Sequence, residues 1–451
     1  MQKTVVLDVV GLSSSLIGEH TPFLQAYGSK KKISTIKSML PAVTTSVQST
    51  YLTGRWPVDH GIVGNGWYDR VDCEVKFWKQ SNKLVLAEKI WEKAGKKNAD
   101  FTCSNIFWWY NMYSSANYSV TPRPNYLADG RKMPDCYTHP PGLRDYLQKE
   151  LGPFPLFQFW GPGANLVSTQ WIADASMLTD RRYDPTLTLI YLPHLDYALQ
   201  KFGPDFKKVG ADLREVDGVV EQLVSFYEKA GARILILSEY GITAVDQPIH
   251  LNRILREQGL LEVRIERGLE LLDPGASQAF AVADHQVAHV YVNNPLNLAR
   301  VKEILINTPG VELVLGREEQ ERHKIGHERA GDFVVVADGR SWFTYYFWMD
   351  DALAPDYARC VDIHKKPGYD PVEMFMTSRF RAGYKLLKKK LGFRYVMDVI
   401  PLDANLIKGS HGRIGDDPSI YPVLIHDHLD ERKVIEPVEV YSLIWKALEL
   451  D

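Results

Sequence analysis

The chain has 451 residues, 45% of them hydrophobic and 24% charged, with a formal charge of −3. That is the make-up of a globular protein large enough for two or three compact units, and the near-neutral balance gives no electrostatic hint of a nucleic-acid duplex or membrane as partner. The short runs Lys30–Lys32 and Lys388–Lys390 read as solvated faces.

In chain order, the first element is the buried strand predicted at Thr4-Val5-Val6-Leu7-Asp8-Val9-Val10-Gly11. Its apolar run is too short and too early, with no n-region worth the name and no small-residue cleavage site, so no secretory leader is expected. No stretch approaches the ~20 apolar residues of a membrane span. Cys73, Cys103, Cys136 and Cys360 stand far apart with no C-x-x-C spacing. The expectation is a reduced, cytoplasmic protein without a membrane partner. Further apolar, β-branched runs lie at Thr186–Leu192, Arg233–Leu237, Val287–Val292 and Phe333–Ala337. Helical patterns such as Leu213–Lys229 separate them. This order predicts an α/β fold with a mostly parallel central sheet flanked by helices. Between 268 and 390 a second, smaller set of strands and helices interrupts the pattern. The expected division is a core of 1–267 and 391–451 with a smaller α/β cap, 268–390, inserted into it.

Ligands of such sheets bind beyond the carboxyl ends of the strands, and polar groups stand there. Asp196 follows one run, Ser238-Glu239-Tyr240-Gly241 follows another, and Pro41-Ala42-Val43-Thr44-Thr45 opens a probable helix. A threonine at a helix N-terminus is either a cap or a nucleophile, because the free N–H groups there attract a phosphoryl group. Four blocks favour the second role for Thr44. Thr53-Gly54-Arg55-Trp56-Pro57-Val58-Asp59-His60-Gly61-Ile62-Val63-Gly64-Asn65 resembles the T-G-x-x-P-x-x-H-G-I-x-x-N signature of the type I phosphodiesterase/nucleotide pyrophosphatase branch of the alkaline phosphatase superfamily, shared with phosphonoacetate hydrolases. Pro193-His194-Leu195-Asp196, Ser238-Glu239-Tyr240-Gly241-Ile242 and Gly409-Ser410-His411-Gly412 resemble its later blocks, in the same order.

The resemblance implies an alkaline-phosphatase-like fold and Thr44 as nucleophile, nine residues before Thr53. It also implies two zinc ions at the strand ends, which bridge the phosphate and absorb charge. One zinc would be held at the positions of Asp196, Gln200 and His411, the other at those of Val10, Thr44, Glu239 and Tyr240. Only Thr44, Asp196 and His411 keep the family's residue, and the family's phosphoryl-holding Asn falls on Val47. Gln200 suits magnesium or calcium better than zinc, and the ion expected is zinc by resemblance, with magnesium or manganese as the alternatives. Tyr240 is a poor ligand with an ordinary pKa near 10. Asp8 shares a strand face with Val10 but stands about 6.5 Å from it. The metal expected is therefore one divalent ion, with Asp196, His411 and Glu239 as ligands and Gln200, Asp8 and Tyr240 as weaker ones.

Asn65, Arg123 and His364 are the candidate substrate contacts. Phe107-Trp108-Trp109-Tyr110 is expected mainly in the core, and His285 and His289 are expected to pack in the inserted region. His194, two before Asp196, is expected to point away from it. The function expected is metal-dependent hydrolysis of phosphodiester or phosphate-ester bonds in a phosphorylated small molecule. The alternatives are a weakly active or inactive relative that binds a phosphorylated metabolite or a protein, and a metal-poor phosphotransferase or isomerase.

Overall fold

A computed structural model describes residues 1–415 and 417–450. The strands that organise it are, in chain order, β1 (Thr4–Val9), β2 (Lys32–Ile36), β3 (Cys103–Ile106), β4 (Tyr118–Pro122), β5 (Cys136–His139), β6 (Leu187–Leu192) and β7 (Arg233–Leu237). β8 (Ala279–Asp284), β9 (Val287–Val292), β10 (Val311–Leu315), β11 (Phe333–Ala337), β12 (Val423–His426) and β13 (Val434–Ile435) follow. Nine of them form one sheet in the order β13-β2-β12-β7-β1-β6-β3-β4-β5. Its centre, β7-β1-β6-β3-β4, is parallel, and β12 and β5 run antiparallel towards the two edges. Every residue of β1 and β6 is buried. Both faces of a central parallel strand are covered, which is why these runs are continuously apolar rather than alternating. Asp8 is the one charged residue in β1, and it sits opposite Tyr191 and Leu237 near the carboxyl end.

The remaining strands β8-β9-β11-β10 form a separate antiparallel sheet. Val287–Val292 and Phe333–Ala337 therefore do not join the parallel sheet. Their apolar runs are as continuous as those of β1, and sequence alone does not show which sheet such a run enters. Around this second sheet a distinct core gathers Phe280, Tyr345, Trp342 and Trp348. It also takes in Tyr68 and Phe77 from the early chain and Leu251 and Leu255 from before residue 268. The four cysteines are free thiols.

Three helices position the site: α1 (Thr44–Thr53), α2 (His194–Phe202) and α3 (Phe206–Lys229). α1 is buried along its whole length and stops at Gly54, whose φ of 63° is the left-handed closure that glycine provides at a helix end. α3 starts seven residues before the predicted pattern because Asp205 caps it, accepting a hydrogen bond from the Lys207 N–H. Gly241 stands so close to the Ile420 carbonyl that a Cβ there would lie 1.8 Å from its oxygen. The glycine after Tyr240 is thus set by the approach of the 418–420 turn.

Candidate active site

The carboxyl ends of β1, β6 and β7 bring Asp8, Asp196 and Glu239 together with Thr44 and His411, as strand-end logic requires. Thr44 is the first residue of α1, and the cap position before it is Val43, which makes no side-chain cap bond. Thr44 is therefore no cap. Its Oγ1 lies 3.1 Å from the Tyr240 hydroxyl, which donates to Asp196 Oδ1 at 3.4 Å. Thr45 has a structural task instead: its hydroxyl donates to the Gly64 carbonyl (2.8 Å) and its N–H to Asn65 Oδ1 (3.1 Å).

His411 donates from Nδ1 to the Ala42 carbonyl at 2.7 Å, which leaves the Nε2 lone pair buried, without a protein partner, 3.9 Å from Asp196 Oδ1. Burial, and then His285 beside it, hold the ring neutral by pushing its pKa well down. Asp196 is pushed up to about 7, first by loss of solvent and then by the charge of Glu239. Glu239 also rises to about 7, mainly through burial. Asp8 rises well above the ordinary carboxyl range, from burial and from Glu239. Gln48 stands between these last two, with its amide N–H groups donating to Glu239 Oε1 (2.5 Å) and Asp8 Oδ2 (3.3 Å). Its oxygen accepts the Trp109 N–H at 2.7 Å.

These contacts decide which metal set the site fits. Val10 is a fully buried core residue with no donor, the Tyr240 ring lies stacked on His411 with centroids 3.6 Å apart, and the Gln48 amide fills the space between Asp8 and Glu239. The second zinc set of the resemblance does not fit. The first set fits in part, because the orphaned His411 Nε2 and Asp196 have the donor chemistry for one divalent ion. Gln200 does not complete it: its Nε2 donates to Asp196 Oδ2 at 2.8 Å and its Oε1 accepts the Tyr369 hydroxyl at 2.9 Å. Among the described residues, three His, Asp or Glu side chains bring ligand atoms within 4.8 Å of one another only at His194, Asp212 and Glu215. There His194 faces α3 and points away from Asp196, because both lie in α2 and two residues along a helix stand about 200° apart around its axis.

Thr44, Asp196 and Tyr240 line a cavity of about 1580 Å³. Arg123 and His364 line it as well. Asn65 does not: its amide N–H and backbone N–H both bind Asp284, and its oxygen holds Thr45, so every polar group is used inside the protein. It positions the start of α1 and is not a substrate contact. Asp8, Glu239, Gln200 and His411 lie behind the lining residues, and Val47 is core. His289 is structural, bonding the Val63 carbonyl and the Gly331 N–H.

Several site residues escaped the sequence. His285 sits in the β8–β9 turn at φ 61°, lines the cavity, and stacks between His411 and Tyr369 at 3.8 and 3.7 Å. Trp78, Trp109, Trp160 and Tyr369 wall the cavity, with Trp78 and Trp109 centroids 4.7 Å apart. Phe107, Trp108 and Tyr110 are core, as expected. The signal for His285 was an Asp-His pair at a strand end; Trp78, Trp160 and Tyr369 are scattered singly and carried none.

Residues 4–370 match the type I phosphodiesterase / nucleotide pyrophosphatase family. The chain belongs to that family. It is 26% identical over 225 residues to an uncharacterized pyrophosphatase/phosphodiesterase of Schizosaccharomyces pombe, which covers 48% of this chain and 38% of the relative. It is 22% identical over 267 residues to ectonucleotide pyrophosphatase/phosphodiesterase 2 of Saccharomyces cerevisiae, covering 54% and 48% respectively. The chain thus spans less than half the length of these curated relatives. In fold it is similar to murine ectonucleotide pyrophosphatase/phosphodiesterase 5, an inactive variant in complex with AMP, with a TM-score of 0.61 and 15% identity over 100% of this chain and 96% of that one. It is likewise similar to phosphonoacetate hydrolase of Sinorhizobium meliloti in complex with phosphonoformate, with a TM-score of 0.61 and 14% identity over 99% and 96%. The fold is alkaline-phosphatase-like.

Proposed function

We propose that this family member hydrolyses a phosphodiester or phosphate ester of a small molecule that carries a ring, with Thr44 as nucleophile. One observation carries the reading: of the ten residues of α1, only Thr44 opens on the cavity. There the helix N-terminus favours a phosphoryl group. The Tyr240 hydroxyl is committed as donor to Asp196, so Thr44 donates to Tyr240 and turns its lone pairs to the cavity. As the Thr44 Oγ–phosphorus bond forms and the ester bond breaks, the Thr44 proton passes to Tyr240, whose own proton passes to Asp196. The leaving oxygen takes a proton from water, and the hydroxide so formed recovers the proton held by Asp196. A second water then attacks phosphorus and gives a proton to Thr44 Oγ1, which releases a phosphate monoester from a diester, or phosphate from a monoester. The tryptophan wall suits a planar leaving group, and Arg123 and Lys132 offer positive charge at the rim. His411 and Asp196 are the residues that would hold a divalent ion. Such an ion would supply positive charge that offsets the charge on the phosphoryl group.

The test is turnover of bis(4-nitrophenyl) phosphate with and without chelator, zinc, manganese and magnesium. Thr44→Ala should lose at least about 1000-fold in kcat with an unchanged melting temperature, and a 4-nitrophenylphosphoryl group should be trapped on Thr44 of the wild type by rapid acid quench. Undiminished activity of Thr44→Ala sinks the reading. The Gln48 amide and the Tyr240 phenol in the second metal position favour one other reading, a protein that binds a phosphorylated metabolite without turnover. Absence of wild-type activity in chelator and with each of the three metals, together with a melting shift on adding AMP, would establish that reading instead.

A further inference from the structure

The segment from Arg379 to Met397 contains Arg379, Arg381, Lys385, Lys388, Lys389, Lys390 and Arg394 and no acidic residue. Its first part is a helix, α4 (Arg379–Lys390), with no buried side chain. Three faces of this helix have separate fates. Arg381 and Lys385 are tied to Asp398, which fixes the helix to the body of the protein. Ala382, Leu386, Lys389 and, beyond the helix, Phe393 line the cavity mouth at i, i+4, i+7 and i+11. Phe380, Tyr384, Leu387 and Leu391 have the same spacing on a third face. They are 86, 50, 54 and 62% exposed, and Lys388 Nζ lies over the Tyr384 ring, 5.0 Å from its centroid. A stripe at helical spacing is ordinarily the buried side of a helix. Here the tethered face is the charged one and the apolar face points to water. Across the mouth, the hairpin of Asn125–Tyr126 and Lys132–Met133 adds exposed Tyr126 and Met133 beside Arg131 and Lys132.

We propose that this rim docks on the surface of an anionic lipid bilayer, with Phe380, Tyr384, Leu387 and Leu391 among the headgroups and the cavity mouth facing the membrane. Charge chooses the occupant. Arg379, Lys388, Lys389, Lys390 and Arg394 make no ion pair among the described residues, and five free cations beside an apolar stripe match an interfacial helix at an anionic leaflet. A second copy of the chain would bring the same uncompensated positive charge against itself. No described helix is long and apolar enough to cross a membrane, and the contact proposed is interfacial. The sequence set Lys388–Lys390 down as a solvated run because the three residues, taken alone, are too few to mark a surface; the apolar stripe and the second lip beside them appear only in the fold.

The test is co-sedimentation of the full chain with phosphatidylcholine vesicles, with and without ~30% phosphatidylserine. It needs no turnover, so it stands apart from the hydrolase reading. Wild type should bind the anionic vesicles and be released as NaCl rises from about 0.1 to about 0.5 M. Lys388→Glu with Lys390→Glu should weaken binding at least 25-fold, at about fivefold per cation lost. Phe380→Ser, Leu387→Ser and Leu391→Ser together should weaken it to a similar degree. Phe380, Leu387, Lys390 and Leu391 are exposed and Lys388 is half-buried against the Tyr384 ring, so each variant should melt close to the wild type. Absence of binding to anionic vesicles, or binding that neither set of substitutions weakens, would overturn the proposal. So would a dimer seen by light scattering that the serine substitutions dissolve while no vesicle binding is found, which would assign the stripe to a second copy.

Discussion

Replacing Asp196 by Asn should stabilise the metal-free protein, and should do so more as the pH rises. The Asp196 carboxyl is buried and its pKa stands at about 7 against an ordinary value near 3.8, chiefly from lost solvation and then from Glu239. A rise of about three pH units corresponds to roughly 4 kcal/mol, at about 1.4 kcal/mol per unit. The folded chain holds this proton more tightly than the unfolded chain does. The stability this gives is fully present below about pH 4, is lost as pH climbs from there, and is gone above about pH 7. An amide has no such dependence and still offers an oxygen to Tyr240. Between about pH 4.5 and about pH 8.5 the gain from Asp196→Asn should therefore grow by roughly 3 kcal/mol. The assay is urea unfolding followed by tryptophan fluorescence, in EDTA so that no cation offsets the charge. Equal gains at the two pH values would refute the reasoning and show that Asp196 stays ionised throughout.

Thr44→Ala should cost little stability, since its hydroxyl caps nothing, whereas Thr45→Ala should cost about 1–2 kcal/mol by leaving the Gly64 carbonyl unpaired; thermal melts of both separate the two. Lys366 is buried between Asp370 and Glu373, 2.7 Å from each, so Lys366→Met should destabilise by about 3–5 kcal/mol through two uncompensated carboxylates, as chemical denaturation would read. Elemental analysis of protein dialysed against zinc should find at most one ion per chain. Two would show that Gln48 and Tyr240 move aside.

What the sequence shows best are the residues at strand ends. Thr44, Asp196, Glu239 and His411 come from four blocks far apart in the chain, and their order implied the convergence that the central strands produce. Asp8 was legible as a charge in an apolar strand, but its partner was not. Gln48 sits in the middle of α1, outside every block, and helical periodicity alone does not reveal that a buried amide faces two carboxylates. Gln200 looked like a ligand because it stands four residues after Asp196. The Tyr369 hydroxyl, 169 positions away, claims its oxygen, and contacts of that range leave no local trace. The second sheet was misplaced for a related reason: an apolar run shows that a strand is buried and not which neighbours bury it.

Gln48 gives this site a property that no pair of its residues has alone. One rigid amide touches the backbone of Trp109 at the cavity wall and, through its nitrogen, the two carboxyls behind it. A molecule that presses on the wall and shifts the Trp109 backbone must rotate or displace that amide. When it does, Asp8 and Glu239 lose the donor that favours their ionised forms, and their proton affinities rise together. Filling the cavity is therefore felt as a change of acidity at the centre of the sheet, transmitted by a single side chain.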